Sequence, residues 1–98
     1  MPHRLAPRAR ADLDEIWHYI AVESGNEAAA NRIVDLIAER FPLLSEWLRL
    51  GRVHNDLRRG LPSYPVGNYI IFYRIGRGGV VIQRVLHARR EIRRLFRR

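Results

Sequence analysis

The residues best equipped for chemistry in this chain are two histidines, His54 and His87, and the arginines Arg58, Arg59, Arg74 and Arg84. An imidazole can take the proton of a ribose 2′-hydroxyl or supply one to a leaving oxygen, and guanidiniums can hold the charge of the developing phosphorane. That is the set RNA cleavage would need, with acid–base help alone worth about a hundred- to ten-thousand-fold. His3, His18 and His54 show no metal-ligand spacing and there is no cysteine, so neither thiolate metal sites nor disulfides are available. Gly76-Arg77-Gly78-Gly79 lacks the Gly-Lys-Ser/Thr ending and the following helix of a phosphate loop, and reads as a turn. The sequence therefore calls for no metal and no cofactor.

Charge is the stronger signal. The 98 residues carry a formal net charge of +8, and all 18 basic residues are arginine. Up to Leu50 there are 6 Arg against 8 Asp and Glu, a net of −2; beyond it 12 Arg face only Asp56 and Glu91, a net of +10. A field this one-sided suits a polyanion or an acidic protein partner, because the guanidinium fork grips phosphate and carboxylate bidentately. No apolar run is long enough to span a membrane and no signal-peptide segment follows Met1, so the reading is a cytoplasmic, soluble, single-domain protein over residues 1–98.

The elements that position these groups centre on residues 61–87. Tyr69 to Ile75 is apolar or aromatic except for Arg74, and reads as a strand; after the glycine-rich turn, Val80-Val81-Ile82 and Val85-Leu86 read as its hairpin partner. Alternation puts Tyr69, Ile71, Tyr73 and Ile75 on one face and Ile70, Phe72 and Arg74 on the other. Ahead of the hairpin, His3-Arg4-Leu5, between prolines, predicts a brief edge strand. Ala9, Leu13, Ile16, Trp17 and Ile20 mark one stripe of a helix that begins at Pro7 and ends at Gly25. Asn26 then caps a second helix through Ala29, Ile33, Ile37, Phe41, Leu44 and Leu48, with a kink expected at Phe41 because Pro42 cannot donate to the Ala38 carbonyl. Asp56 to Arg59 is expected as a further strand, 60–67 as a turn, and 88–98 as a basic helical tail carrying Ile92, Leu95 and Phe96 on one face.

Four stretches in this order resemble the ParE branch of the RelE/ParE toxin superfamily: Ala9 to Trp17 is similar to the family's first helix, and Gly51-Arg52 with Asp56 to Gly60 to its helix-to-sheet junction. Pro65 to Arg74 is similar to its central strand, and Arg84-Val85-Leu86-His87 to its last-strand signature. The resemblance implies an α+β fold with an antiparallel helical hairpin packed on a three- to four-stranded, mainly antiparallel twisted sheet. It implies a cognate antitoxin whose flexible, often acidic C-terminal segment wraps the toxin in a hetero-oligomeric complex, and DNA gyrase as the target, reached by binding instead of catalysis. Target contact is expected from Arg58, Arg59, Arg74, Arg84 and His87, and antitoxin contact from Trp17, Ile33, Ile37, Phe41, Tyr69 and Tyr73. The alternative within the superfamily is a RelE-like ribosome-dependent endonuclease of messenger RNA; the absence of lysine, and Phe96 as the one aromatic near the end, depart from that pattern. A basic nucleic-acid-binding module is the third reading.

Overall fold

The computed structural model describes residues 3–47, 52–53 and 62–89. Its first layer is helical. Helix α1 (Pro7–Ser24) opens with a proline at N1, where the missing N–H would have had no helical partner, and closes on Gly25 in the left-handed conformation at φ 62°. One residue later Asn26 caps α2 (Glu27–Ala38), its side chain accepting from the Ala29 N–H at 3.2 Å, with Glu27 at the positive end of the helix dipole. The two helices form an antiparallel pair, tied by the Trp17 indole N–H donating to Asn31 Oδ1 at 2.7 Å.

The expected kink at Phe41 lies instead at Glu39, between α2 and α3 (Arg40–Glu46). Pro42 has no N–H for the Ala38 carbonyl, so the ladder is interrupted on the carbonyl side; the proline then falls in the first turn of α3, where an N–H is dispensable. Glu39 keeps helical dihedrals (φ −62°, ψ −20°) and still donates to Asp35 at 2.9 Å, which makes the junction a bend and not a loop.

The second layer is a sheet of β1 (His3–Leu5), β2 (Arg52–Val53), β3 (Pro62–Val66), β4 (Tyr69–Gly76) and β5 (Gly79–His87), in the order β1-β5-β4-β3-β2. All neighbours are antiparallel except β1 and β5, which run parallel, as a strand separated from its partner by two layers of chain can. The sheet is thus mixed and, with two-residue β2 counted, has five strands.

Residues 60–67, expected as one turn, resolve differently: Pro62–Val66 is a strand, and the turn is Gly67-Asn68 alone. Gly67 takes φ 58° at the first central position, the demand of a II′ hairpin turn. Two prolines are tolerated: Pro62 is the first residue of the strand, and Pro65 lies opposite Ile70, next to the pair that closes the loop. There the ladder makes no hydrogen bond, and a missing N–H faces outward. The strand expected over 56–59 lies outside the described residues; of the tail helix expected over 88–98, Ala88 and Arg89 form a turn and the rest lies outside the described residues.

Between the layers sits the core. Ala9 and Ile16 of α1, Ile37 of α2, and Phe41 and Leu44 of α3 meet Val66, Ile71, Tyr73, Val80, Ile82 and Val85 of the sheet. Of β4, the odd positions Ile71 and Tyr73 lie in this core with Tyr69 packed against it, as alternation predicts, whereas Ile75 beside the turn is 41% exposed. Each fully buried aliphatic or aromatic side chain here contributes roughly 1.5 to 3 kcal/mol.

Candidate functional site

Strand β1 pairs with β5 only from Val80 to Ile82. Past that point the β5 edge would present bare N–H groups, yet it is closed by α1. The chain leaves β1 with Ala6 N–H donating to the Ile82 carbonyl at 2.9 Å, turns into α1, and after six residues places Asp12 beside the edge. One carboxylate oxygen, Oδ2, accepts from the Val85 backbone N–H at 2.9 Å and from Arg84 Nε at 2.8 Å; the other, Oδ1, accepts from Arg84 Nη2 at 3.0 Å. Asp12 therefore stands in for a missing strand and binds the Arg84 guanidinium bidentately, with both side chains largely buried.

This geometry corrects the reading of Arg84 as an exposed target contact: it is a structural cation spent on Asp12. Asp12 itself escaped the sequence reading, although its position gave a signal. It lies three residues after Ala9 and four before Ile16, inside the apolar stripe, and a carboxylate there requires a partner.

His87 ends β5, its ring edge-on to Tyr69 at 5.3 Å and 87°, and its Nδ1 accepts from the Arg89 N–H at 3.3 Å. Next to it the Ala88 N–H donates to the Asn68 carbonyl at 2.8 Å, so His87 helps fasten the end of β5 to the first hairpin turn. Arg74 is exposed on the sheet face turned away from the helices. Arg58, Arg59 and His54 lie outside the described residues.

Of the residues expected to meet an antitoxin, Ile37, Phe41 and Tyr73 are core, each at most 2% exposed. Their apolar period reported burial against the sheet and not a partner face. Ile33 and Tyr69 are half-buried at the margin of that core, and Trp17 is half-buried against α2, where it bonds Asn31. Exposed apolar side chains that the sequence reading passed over lie nearby in sequence: Tyr19 and Val22 on α1, and Leu36 on α2, with Val22 78% exposed. Among the described residues no group of three His, Cys, Asp or Glu side chains is placed to hold a metal ion, and no helix is long and apolar enough to cross a membrane.

A helical pair laid on one face of a mixed sheet, its open edge closed by a helix-borne carboxylate, defines a two-layer α+β domain. Residues 4–92 match the family model described as the ParE toxin of type II toxin-antitoxin systems, parDE. Toxin ParE1 of Caulobacter vibrioides is 40% identical over 86 residues, 88% of each chain, and Toxin RelE3 of the same organism is 34% identical over 85 residues, 86% of this chain and 90% of that one. A solved chain of the chromosomal ParDE toxin-antitoxin system from P. aeruginosa shares the fold, with a TM-score of 0.77 over 89% of this chain and 95% of that one at 21% identity. The chain belongs to the ParE toxin family of type II toxin-antitoxin systems.

Proposed function

We propose that this chain is the toxin of a two-protein pair, silenced by a cognate antitoxin, and that when released it disables DNA gyrase by binding it. The observation that favours binding over RNA cleavage is the employment of the two described groups best suited to cleavage. Arg84 is locked to Asp12 inside the layer junction, and His87 packs against Tyr69 and accepts from the Arg89 backbone. A nuclease built on His87 and Arg84 would need both groups to face one phosphate. The similarity to a protein named Toxin RelE3 makes ribosome-dependent RNA cleavage the second reading.

The antitoxin reading draws on two features. The chain is acidic ahead of Leu50 and strongly basic after it, a field that captures an acidic, flexible segment quickly. On the helical side, Tyr19 and Val22 lie one turn apart on α1, and Ile33 and Leu36 one turn apart on α2, exposed or half-buried. An amphipathic segment would cover such a surface. Trp17, Ile33 and Tyr69 remain in the proposed antitoxin face, and Arg58, Arg59 and Arg74 in the proposed target face.

The deciding experiment adds the purified chain to a gyrase supercoiling reaction and, separately, to a translating ribosome. Loss of supercoiling with intact messenger RNA is the expected result. Cleaved messenger RNA with unaffected supercoiling would replace the binder by a nuclease.

A further inference from the structure

At the end of the sheet farthest from His87, the turn between β4 and β5 and the start of β1 enclose an open groove of about 570 Å³. The register defines its cationic wall. Arg4 of β1 pairs with Val81, and Val81 pairs with Arg74 of β4, so the three form one row across the sheet with two guanidiniums flanking a valine. All three point to the face away from the helices, and two strand spacings put the arginine backbones roughly 9 to 10 Å apart. Arg77, in the turn itself, supplies a third exposed guanidinium, and His3 borders the same groove. Among the described residues no carboxylate lines the groove and none forms an ion pair with Arg4, Arg74 or Arg77.

Three glycines, Gly76, Gly78 and Gly79, form the rim, and a Cβ added at Gly78 would meet nothing within 4 Å. The polypeptide there is low, so a bulky chain can approach closely. Val81 is half-buried between the two arginines, and Ile75, 41% exposed beside the turn, is the one well-exposed apolar side chain on the lining. Three arginines around an open groove, none ion-paired among the described residues, match a ligand whose charges repeat along a backbone. That describes nucleic-acid phosphates better than an acidic peptide.

We propose that this groove is a phosphate-backbone site that seats duplex DNA on the toxin itself. Contact is sequence-independent, carried by Arg4, Arg74 and Arg77, and does not depend on gyrase being the target.

The test measures binding of the full chain to a fluorescently labelled 20-base-pair duplex by anisotropy, without gyrase, from 50 to 200 mM salt. It compares the natural chain with the Arg4→Gln/Arg74→Gln/Arg77→Gln variant and with a charge-matched Arg8→Gln/Arg10→Gln/Arg32→Gln control on the helices. Thermal melting confirms that each is folded. Three phosphate contacts give a log-affinity against log-salt slope steeper by about 2.7 in the natural chain than in the groove variant, so that across this range its affinity falls roughly 40-fold more. The helix control keeps most of the natural slope, and each single groove substitution removes about one unit. Equal slopes for groove variant and natural chain would overturn the proposal, as would no duplex binding at 50 mM salt. A labelled Asp/Glu-rich peptide that binds more tightly than the duplex, and loses binding in the groove variant, would also overturn it and make the groove a peptide site.

Discussion

Removing the Asp12 carboxylate exposes how the two layers are joined. In Asp12→Ala the Arg84 guanidinium, 14% exposed, loses both of its bonds to the carboxylate, and the Val85 N–H at the β5 edge loses its acceptor. Stranding one member of a buried ion pair costs about 3 to 5 kcal/mol, and an unsatisfied buried amide about 1 to 3 kcal/mol; since the same carboxylate serves both, the losses overlap and about 4 kcal/mol is the working figure. A domain of this length has about 5 to 15 kcal/mol in all. At about 5 °C per kcal/mol the midpoint falls by about 20 °C. The double variant Asp12→Leu/Arg84→Met removes charge and countercharge together and should recover most of this, leaving only the amide, about 1 to 3 kcal/mol. Thermal melts followed by circular dichroism on the four members of the cycle give the coupling directly. An Asp12→Ala midpoint within about 5 °C of the natural chain, or a double variant less stable than Asp12→Ala, would refute the claim that the pair and the edge amide share one acceptor.

Other consequences are more local. Gly67→Ala adds a Cβ that meets no neighbour but must hold φ near 58°, so chemical denaturation should register a loss of about 1 to 2 kcal/mol from backbone strain alone. Phe41→Ala removes a ring that is 2% exposed in the core; urea titration should show about 3 to 5 kcal/mol lost, and a loss below about 1 kcal/mol would mean the ring is not core. The exposed Tyr19, Val22 and Leu36 predict that the chain alone self-associates more than its antitoxin complex does; sedimentation showing a clean monomer at high concentration would contradict that. Association with the antitoxin should slow markedly between low and high salt in stopped-flow mixing, and salt-independent rates would remove the electrostatic capture.

Much of the fold was legible because local signals and burial agreed. Pro7, Gly25 and Asn26 carry the start and stop chemistry of two helices, and Tyr69, Ile71 and Tyr73 of β4 face the core as a period of two requires. Three things were not legible, each for a physical reason. Pro62 and Pro65 read as turn residues because a proline's missing N–H harms a strand only where the ladder needs it, and that depends on register, which residues 62–66 acquire only by pairing with β4. The break near Pro42 was displaced because the proline disturbs the carbonyl four residues earlier and not its own position. Arg4 and Arg77 are ordinary surface arginines in sequence; only a parallel β1, brought back across the sheet, puts Arg4 level with Arg74.

The role of Arg84 turns on one irregularity that no periodicity reveals. Phe72 pairs with Arg84 but Tyr73 pairs with Ile82, so Gln83 is an extra residue in β5. Strict alternation from Val80 and Ile82 would send Arg84 and Leu86 into the core and turn Val85 outward, burying a guanidinium among Ile16, Ile37 and Ile71. The bulge resets the phase: Val85 enters the core opposite Ile71, and Arg84 aligns with Phe72 at the point where β1 has ended. An arginine delivered to an unpaired edge needs a counterion, and the helix that follows β1 carries one, Asp12, that also reaches the Val85 amide. Bulge, edge and Asp12 are thus one device, and since Gln83 is the residue left without a partner on β4, deleting it should cost less than Asp12→Ala. The deletion leaves Ile82 opposite Tyr73 and Arg84 opposite Phe72 in one regular ladder, so every side chain from Arg84 to His87 keeps its face and Arg84 keeps its reach to Asp12. A Gln83 deletion that melts as low as Asp12→Ala would show that the bend of the bulge itself, and not the phase alone, brings Arg84 to Asp12.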